Sequence, residues 1–319
     1  MTSNAAPASN ATGISSRRNL QEGILLMVIG MLILPGIDAI AKGLSGSISS
    51  GQVTWSRFFF QTLLLLPFVL RAGGLRVGRR LWVHAARGFL IALATLLFFT
   101  ALGELPLADA ISIFFVEPFI LTLLSALLLG ESIGWRRLFA VFVGFCGALV
   151  IIRPSYAVFG MTALLPMGAA VSFALYVVLT RWLVREGSAV TMQFYAGVFG
   201  CLTMTAALWF GLETRLAILM PVWPGYREWL LLAVLGVIAT AGHMLVVQAI
   251  RRVGASMVAP FQYLEIISAT ILGLVFFGDF PDATTWLGVA IIIGSGLFVF
   301  FRERRLAAEQ DSLATQPLE

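Results

Sequence analysis

The chain has 319 residues, of which 59% are hydrophobic and 12% charged, with mean hydropathy +0.95 and a formal net charge of +5. A soluble globular domain carries about twice that share of charge. The composition therefore excludes a soluble enzyme or binding module and reads as an integral membrane protein.

A bilayer core of about 30 Å needs roughly 20 apolar residues per crossing helix. Ten such blocks follow one another, at about 23–44, 52–70, 84–102, 108–129, 135–152, 160–183, 189–210, 228–250, 255–277 and 284–301. Residues 1–22, rich in Ser, Ala and Asn, and residues 304–319 read as tails, the first of them disordered and both cytoplasmic. No small-residue cleavage site follows the first apolar block, so it is expected to stay as a helix.

The basic residues set the expected orientation. Of 20 Arg, 16 fall in one set of loops and helix ends, among them Arg87, Arg181 and Arg302, against three (Arg153, Arg215, Arg227) in the other set. Basic loops are retained in the cytoplasm, so both termini are expected there, and in a bacterium the membrane is the inner one. The same bias explains the sequence pI near 9.8 without a nucleic-acid partner.

Span one contains "LPGIDAIAKGL". Pro35 removes a backbone donor and Gly36 loosens the helix, so a kink is expected beside Asp38. Asp38 and Lys42 are spaced to pair on one face. They read either as a self-neutralising pair near the outer surface or as part of a gate that meets substrate. Arg57, within "TWSRFFFQ" of span two, either snorkels outward or pairs with Asp38.

Span four, "FFVEPFILTLLSALLLGE", places Glu117 nine residues into an otherwise apolar segment, and span nine does the same with Glu265 in "QYLEIISATILGLVFFGD". At 1.5 Å per residue both lie about 13–15 Å deep, where an ionised group costs at least about 2.5–3.5 kcal/mol. Phe261, Gln262 and Ser268 share the helical face of Glu265 and suggest a lined cavity. The two acids either line a pathway or binding site, or stay neutral as interhelical hydrogen-bonding groups.

Sliding the chain by 148 residues lays 101–131 on 249–279 without a gap and superimposes Glu117 on Glu265 and Glu131 on Asp279. Five spans per half is an odd number, so the second copy enters the membrane from the opposite side. The expected fold is therefore all-α, with ten transmembrane helices as two inverted five-helix repeats, at 23–153 and 160–303. Secondary transporters are built this way, with the substrate site near the midplane between the halves.

His243 in span eight reads as a proton carrier or as a satisfied interhelical donor. Tyr176, Tyr195 and Tyr263, in spans six, seven and nine, read singly as packing and together as a surface for a flat aromatic or cationic ligand. Cys146 and Cys201 sit alone in apolar helices and read as packing residues, and no metal site or cofactor is expected. Ala140, Gly144 and Ala148 form a small-residue ridge that reads as packing within the fold, with a homodimer not indicated.

The stretches "ARGFLIALATLLFFTAL", "SALLLGESIGW" and "VAPFQYLEIISATILGLVFFGDFPDATTWLGVAIIIG" resemble the EamA-type branch of the drug/metabolite transporter superfamily. The last looks especially like the riboflavin importers and S-adenosylmethionine uptake carriers. The resemblance implies a carrier of a small organic metabolite, working across the lipid bilayer on a proton or substrate gradient. Riboflavin uptake is the leading expectation, on the aromatic-plus-polar lining, and S-adenosylmethionine uptake and export of amino acids or related metabolites are the alternatives. An enzyme is disfavoured by only two His and no nucleophile motif. A channel shares the polar interior, but inverted halves favour alternating access.

Overall fold

The structure is a computed structural model describing residues 9–71, 81–129, 134–183, 188–253 and 259–314. The repeat match at Gly130 and Glu131 and the arginines Arg76, Arg79, Arg80 and Arg185 lie outside the described residues. In chain order the helices are α1 (Ser9–Ile33), α2 (Pro35–Leu44), α3 (Ser50–Arg71), α4 (Leu81–Leu102), α5 (Leu107–Phe114), α6 (Glu117–Leu129), α7 (Trp135–Phe159), α8 (Leu165–Leu183), α9 (Ala189–Thr214), α10 (Tyr226–Val253), α11 (Leu264–Phe277) and α12 (Ala283–Ala314). Short 3₁₀ turns at Gly160–Leu164 and Ala259–Tyr263 lead into α8 and α11.

These helices make the ten expected crossings. Among the described residues nine stretches are long and apolar enough to span a bilayer, and a tenth, Leu138–Ile152 in α7, is shorter because arginines open that helix. Spans one, four and nine are each built from two pieces. Helix α1 begins at Ser9, inside the segment expected to be a disordered tail, and α12 runs on to Ala314 through most of the second tail. In both cases the helix continues past the apolar block.

The packing follows a pseudo-twofold pattern. Helix α1 packs on α10 as α8 packs on α4, which is the same contact, span one on span eight, transferred to span six on span three. Two further pairs, α3 with α9 and α7 with α12, map onto themselves. This is the arrangement of two inverted five-helix repeats.

Small residues set the closest approaches. A Cβ on Gly144 would run into the Phe119 ring, and Ala140 and Ala148 beside it are 3% and 0% exposed. The ridge on α7 is therefore used within the fold, against span four. The outer surface carries apolar side chains such as Leu25, Leu63, Phe68, Leu149 and Phe276, all exposed. Trp82 and Trp135 at one end and Trp223 and Tyr226 at the other are exposed where helices begin, as expected of rings at membrane interfaces.

A polar cavity where three helices start

The three broken spans place one carboxylate each in the first turn of a helix: Asp38 in α2, Glu117 in α6 and Glu265 in α11. The breaks have visible causes. In span one the Leu34 amide still reaches Gly30, but Pro35 has no N–H, and Ile37 turns back to Leu34 over only three residues. In span four, Val116 bonds to Ile113 and Phe119 to Val116, so the chain tightens around Glu117, and Pro118 again lacks its donor. In span nine the 3₁₀ turn ends at Tyr263, two residues before Glu265. Each helix N-terminus offers unpaired N–H groups and a partial positive charge, the environment a carboxylate prefers.

All three carboxylates line one cavity of about 250 Å³, together with Arg57, Thr95, His243 and Gln262. Its apolar wall includes Phe98, Phe99, Phe114, Phe115 and Phe173. Arg57 donates to the Thr95 hydroxyl and attracts Asp38 electrostatically, so it turns inward and does not snorkel. Arg181 attracts Glu117 and donates to Ser125 at 3.1 Å. One Glu117 oxygen, Oε1, is buried without a hydrogen bond. Glu265 differs from both: the charge acting on it is Asp38, of the same sign, and among the described residues no cation is paired with it.

The expected residues divide into two groups. Glu117, Glu265, Gln262, His243, Asp38 and Arg57 meet in this cavity. Imidazole Nδ1 of His243 lies 2.7 Å from the Ala239 carbonyl oxygen of its own helix. The aromatic residues fall elsewhere, with one partial exception. Tyr195 is 7% exposed and packs on Phe194 and His84. Tyr263 stacks near Phe115 with its hydroxyl against Gly296, and Phe261 packs into the general core. Tyr176 lines only a smaller annex, and Ser268, which shares the Glu265 face, donates to the Leu32 carbonyl of α1 at 2.7 Å.

Lys42 does not pair with Asp38. Its ammonium lies 3.1 Å from Asp279 Oδ2 and donates to the Leu105 carbonyl at 2.6 Å, with the Phe277 ring 5.3 Å away. Direction explains the difference: Lys42 is in the last turn of α2 and reaches past the helix end, whereas Asp38 in the first turn faces the cavity. The Lys42 contact ties span one to the loop after α4 and to the end of span nine. Near it the Thr285 hydroxyl donates to Asp109 at 3.0 Å, linking α12 to α5. Asp282 caps α12, and hydrogen bonds from the Thr285 amide and the Thr284 hydroxyl hold its carboxyl below the usual range.

Sequence reasoning assigned Arg87 and Arg181 to the cytoplasmic flank. In the fold Arg87 is 1% exposed; it donates to Thr180 at 2.8 Å and to the Tyr176 hydroxyl at 3.3 Å, and it lies over the Tyr176 ring at 4.9 Å. Its position inside the block 84–102 was the available signal. Gln61 and Gln193, which line the annex, lie in apolar segments with no motif to single them out.

The family model for EamA-like transporters matches the chain twice, over residues 21–153 and 160–301. The chain is 30% identical over 287 residues to the S-adenosylmethionine uptake transporter of Rickettsia prowazekii, covering 89% of this chain and 94% of that one. It is 27% identical over 310 residues to the riboflavin transporter of Vibrio cholerae, covering 94% and 100%. The pseudopaline exporter CntI of Pseudomonas aeruginosa is 28% identical over 275 residues, with 86% and 94% covered. A solved crystal structure shares the fold at TM-score 0.58 and 22% identity, covering 86% of this chain and 95% of that one. With the family model matched in both halves, and two inverted five-helix repeats closing around one polar cavity, the chain belongs to the EamA-like transporter family and is a membrane-spanning small-molecule transporter, not an enzyme.

Proposed function

We propose that the protein is an alternating-access carrier for a cationic organic metabolite in a bacterial inner membrane, with both termini cytoplasmic and S-adenosylmethionine as the leading substrate. The observation that carries this reading is Glu265, a carboxylate in the central cavity with a like-charged neighbour and no cation paired with it among the described residues. A sulfonium or ammonium centre supplies the missing charge. The volume of about 250 Å³ lies just under the ~300–1,000 Å³ usual for pockets holding drug-sized ligands. A nucleoside-sized substrate therefore requires some opening, which alternating access provides.

Riboflavin uptake, the leading expectation from the sequence, becomes the second reading. It keeps the support of the phenylalanine wall, but Tyr195 and Tyr263 contribute nothing to the cavity lining. The Lys42–Asp279 contact supports a gate at one end of the bundle, while Gln262, exposed at the start of span nine, lines the cavity toward the other. Direction of net transport follows the gradients, and exchange of protons or of substrate is compatible with the three carboxylates.

The test is uptake of labelled S-adenosylmethionine and labelled riboflavin into proteoliposomes, with counterflow from preloaded vesicles. Saturable S-adenosylmethionine counterflow is the expected result. Riboflavin counterflow alone would select the second reading, and flux that never saturates would indicate a channel.

A further inference from the structure

Beside the main cavity lies an annex of about 40 Å³, with which it shares Arg57, Ile91, Phe173 and His243. By the measure that a water needs roughly 10–15 Å³ of such space, the annex has room for about three or four water-sized groups. Its remaining polar lining is Gln61, Gln193 and Tyr176, and among the described residues no acidic side chain lines it. Charge is thus segregated: the carboxylates face the main cavity, and a guanidinium stands where the annex joins it.

Two side chains of the annex lining each carry a buried atom without a hydrogen bond, Arg57 Nε and Gln61 Oε1. Arg57 is 9% exposed and Gln61 1%. A buried polar atom left unsatisfied costs about 1–3 kcal/mol, more when charged, so such atoms on side chains that line a cavity point to a missing partner. Neighbouring groups restrict what that partner is. Amide Nε2 of Gln61 is already committed to the Gln193 carbonyl at 3.0 Å. The Tyr176 hydroxyl faces Gln193 Oε1 at 3.5 Å on one side and Arg87 on the other. Among the described residues Arg87 has neutral partners only, and its positive charge adds to that of Arg57 across the Tyr176 ring.

We infer that the annex is a subsite for an α-amino-acid head group, whose carboxylate accepts from Arg57 and whose ammonium donates to Gln61 Oε1. The inference rests on the proposed carrier function and deepens it. The substrate class becomes a zwitterion with a second cationic centre: the amino-acid end enters the annex, and the further cation lies toward Glu265. The carbonyl and N3–H edge of a neutral isoalloxazine ring can hydrogen-bond the same atoms, but it brings no charge to Arg57.

The probes are S-adenosylmethionine, its decarboxylated form, which keeps the sulfonium and the amine but lacks the carboxylate, and riboflavin. Each is titrated by calorimetry onto the purified full-length protein in lipid nanodiscs. The expected result is that loss of the carboxylate weakens binding at least about tenfold, the ratio one charge-assisted hydrogen bond supplies. The ratio between the two sulfonium ligands should then shrink to about threefold or less in Arg57→Gln. The wild-type ratio needs no variant, so a poorly folding Arg57→Gln leaves the test intact. Equal affinity of the wild type for both sulfonium ligands overturns the subsite while leaving the cation reading standing. Failure of both to bind, whether or not riboflavin binds, overturns the subsite and the cationic-substrate reading together.

Discussion

Asp38, Glu117 and Glu265 each stand in the first turn of a helix inside an apolar span. A helix N-terminus stabilises a carboxylate by about 0.3–1 kcal/mol, up to ~2 when partly buried. That offsets only part of the ~2.5–3.5 kcal/mol insertion cost of a charge at the bilayer centre. Arg57 and Arg181 supply further compensation to Asp38 and Glu117, and among the described residues no cation does so for Glu265. Replacing Glu265 with Gln keeps the shape and most of the hydrogen bonding but deletes the charge. Glu265→Gln is therefore expected to reduce S-adenosylmethionine transport at least tenfold, on the order of 1.4 kcal/mol, with membrane abundance near normal by immunoblot. Glu117→Gln should be milder, because Arg181 already neutralises that acid. Full transport by the Glu117→Gln/Glu265→Gln double variant would leave both acids as structural hydrogen-bonding groups.

At the scale of elements, the discontinuous spans one, four and nine are what bring the three acids together. Pro118 matters for span four because it removes an amide at the second residue of α6. Pro118→Ala should let α5 and α6 run together and carry Glu117 out of its present direction. Transport should fall several-fold while thermal stability in detergent stays level or rises, since the helix gains a backbone bond. Stability falling with activity would show that the break serves packing instead. The contact between Lys42 and Asp279 joins three elements at one end, and it makes a sharper test of gating. In a double-mutant cycle on transport, Lys42→Ala and Asp279→Ala should couple by about 0.5–3 kcal/mol. Lys42→Ala and Asp38→Ala should be additive. A thiol-reactive label at Gly103→Cys, near this contact, should react faster when Asp279 is Ala.

At the scale of the whole molecule, the inverted halves make the two ends of the bundle equivalent in fold and unequal in charge. Reporter fusions after Ser47 should be periplasmic and those after Arg305 cytoplasmic, and the reverse assignment of either would defeat the orientation drawn from the arginines. In the proposed alternating-access cycle, the packing of span one on span eight and of span six on span three would exchange environments in a second state. Locking the Lys42 end with Lys42→Cys and Asp279→Cys should trap one state, abolishing counterflow under oxidation and restoring it on reduction.

Membrane insertion, the number of spans and the repeat were legible in the sequence. They follow from hydropathy and spacing, which act locally along a helix. The kink at Pro35 was legible for the same reason. Partner choice was not. Lys42 pairs with a residue 237 positions away, Arg87 folds inward onto Tyr176, and Tyr195 and Tyr263 turn from the cavity into packing. Each of these depends on which helix stands next to which, and on the direction a side chain leaves its helix. Hydrophobic periodicity says that a face is buried, and only the tertiary packing decides whether it is buried against lipid, against protein or around the cavity.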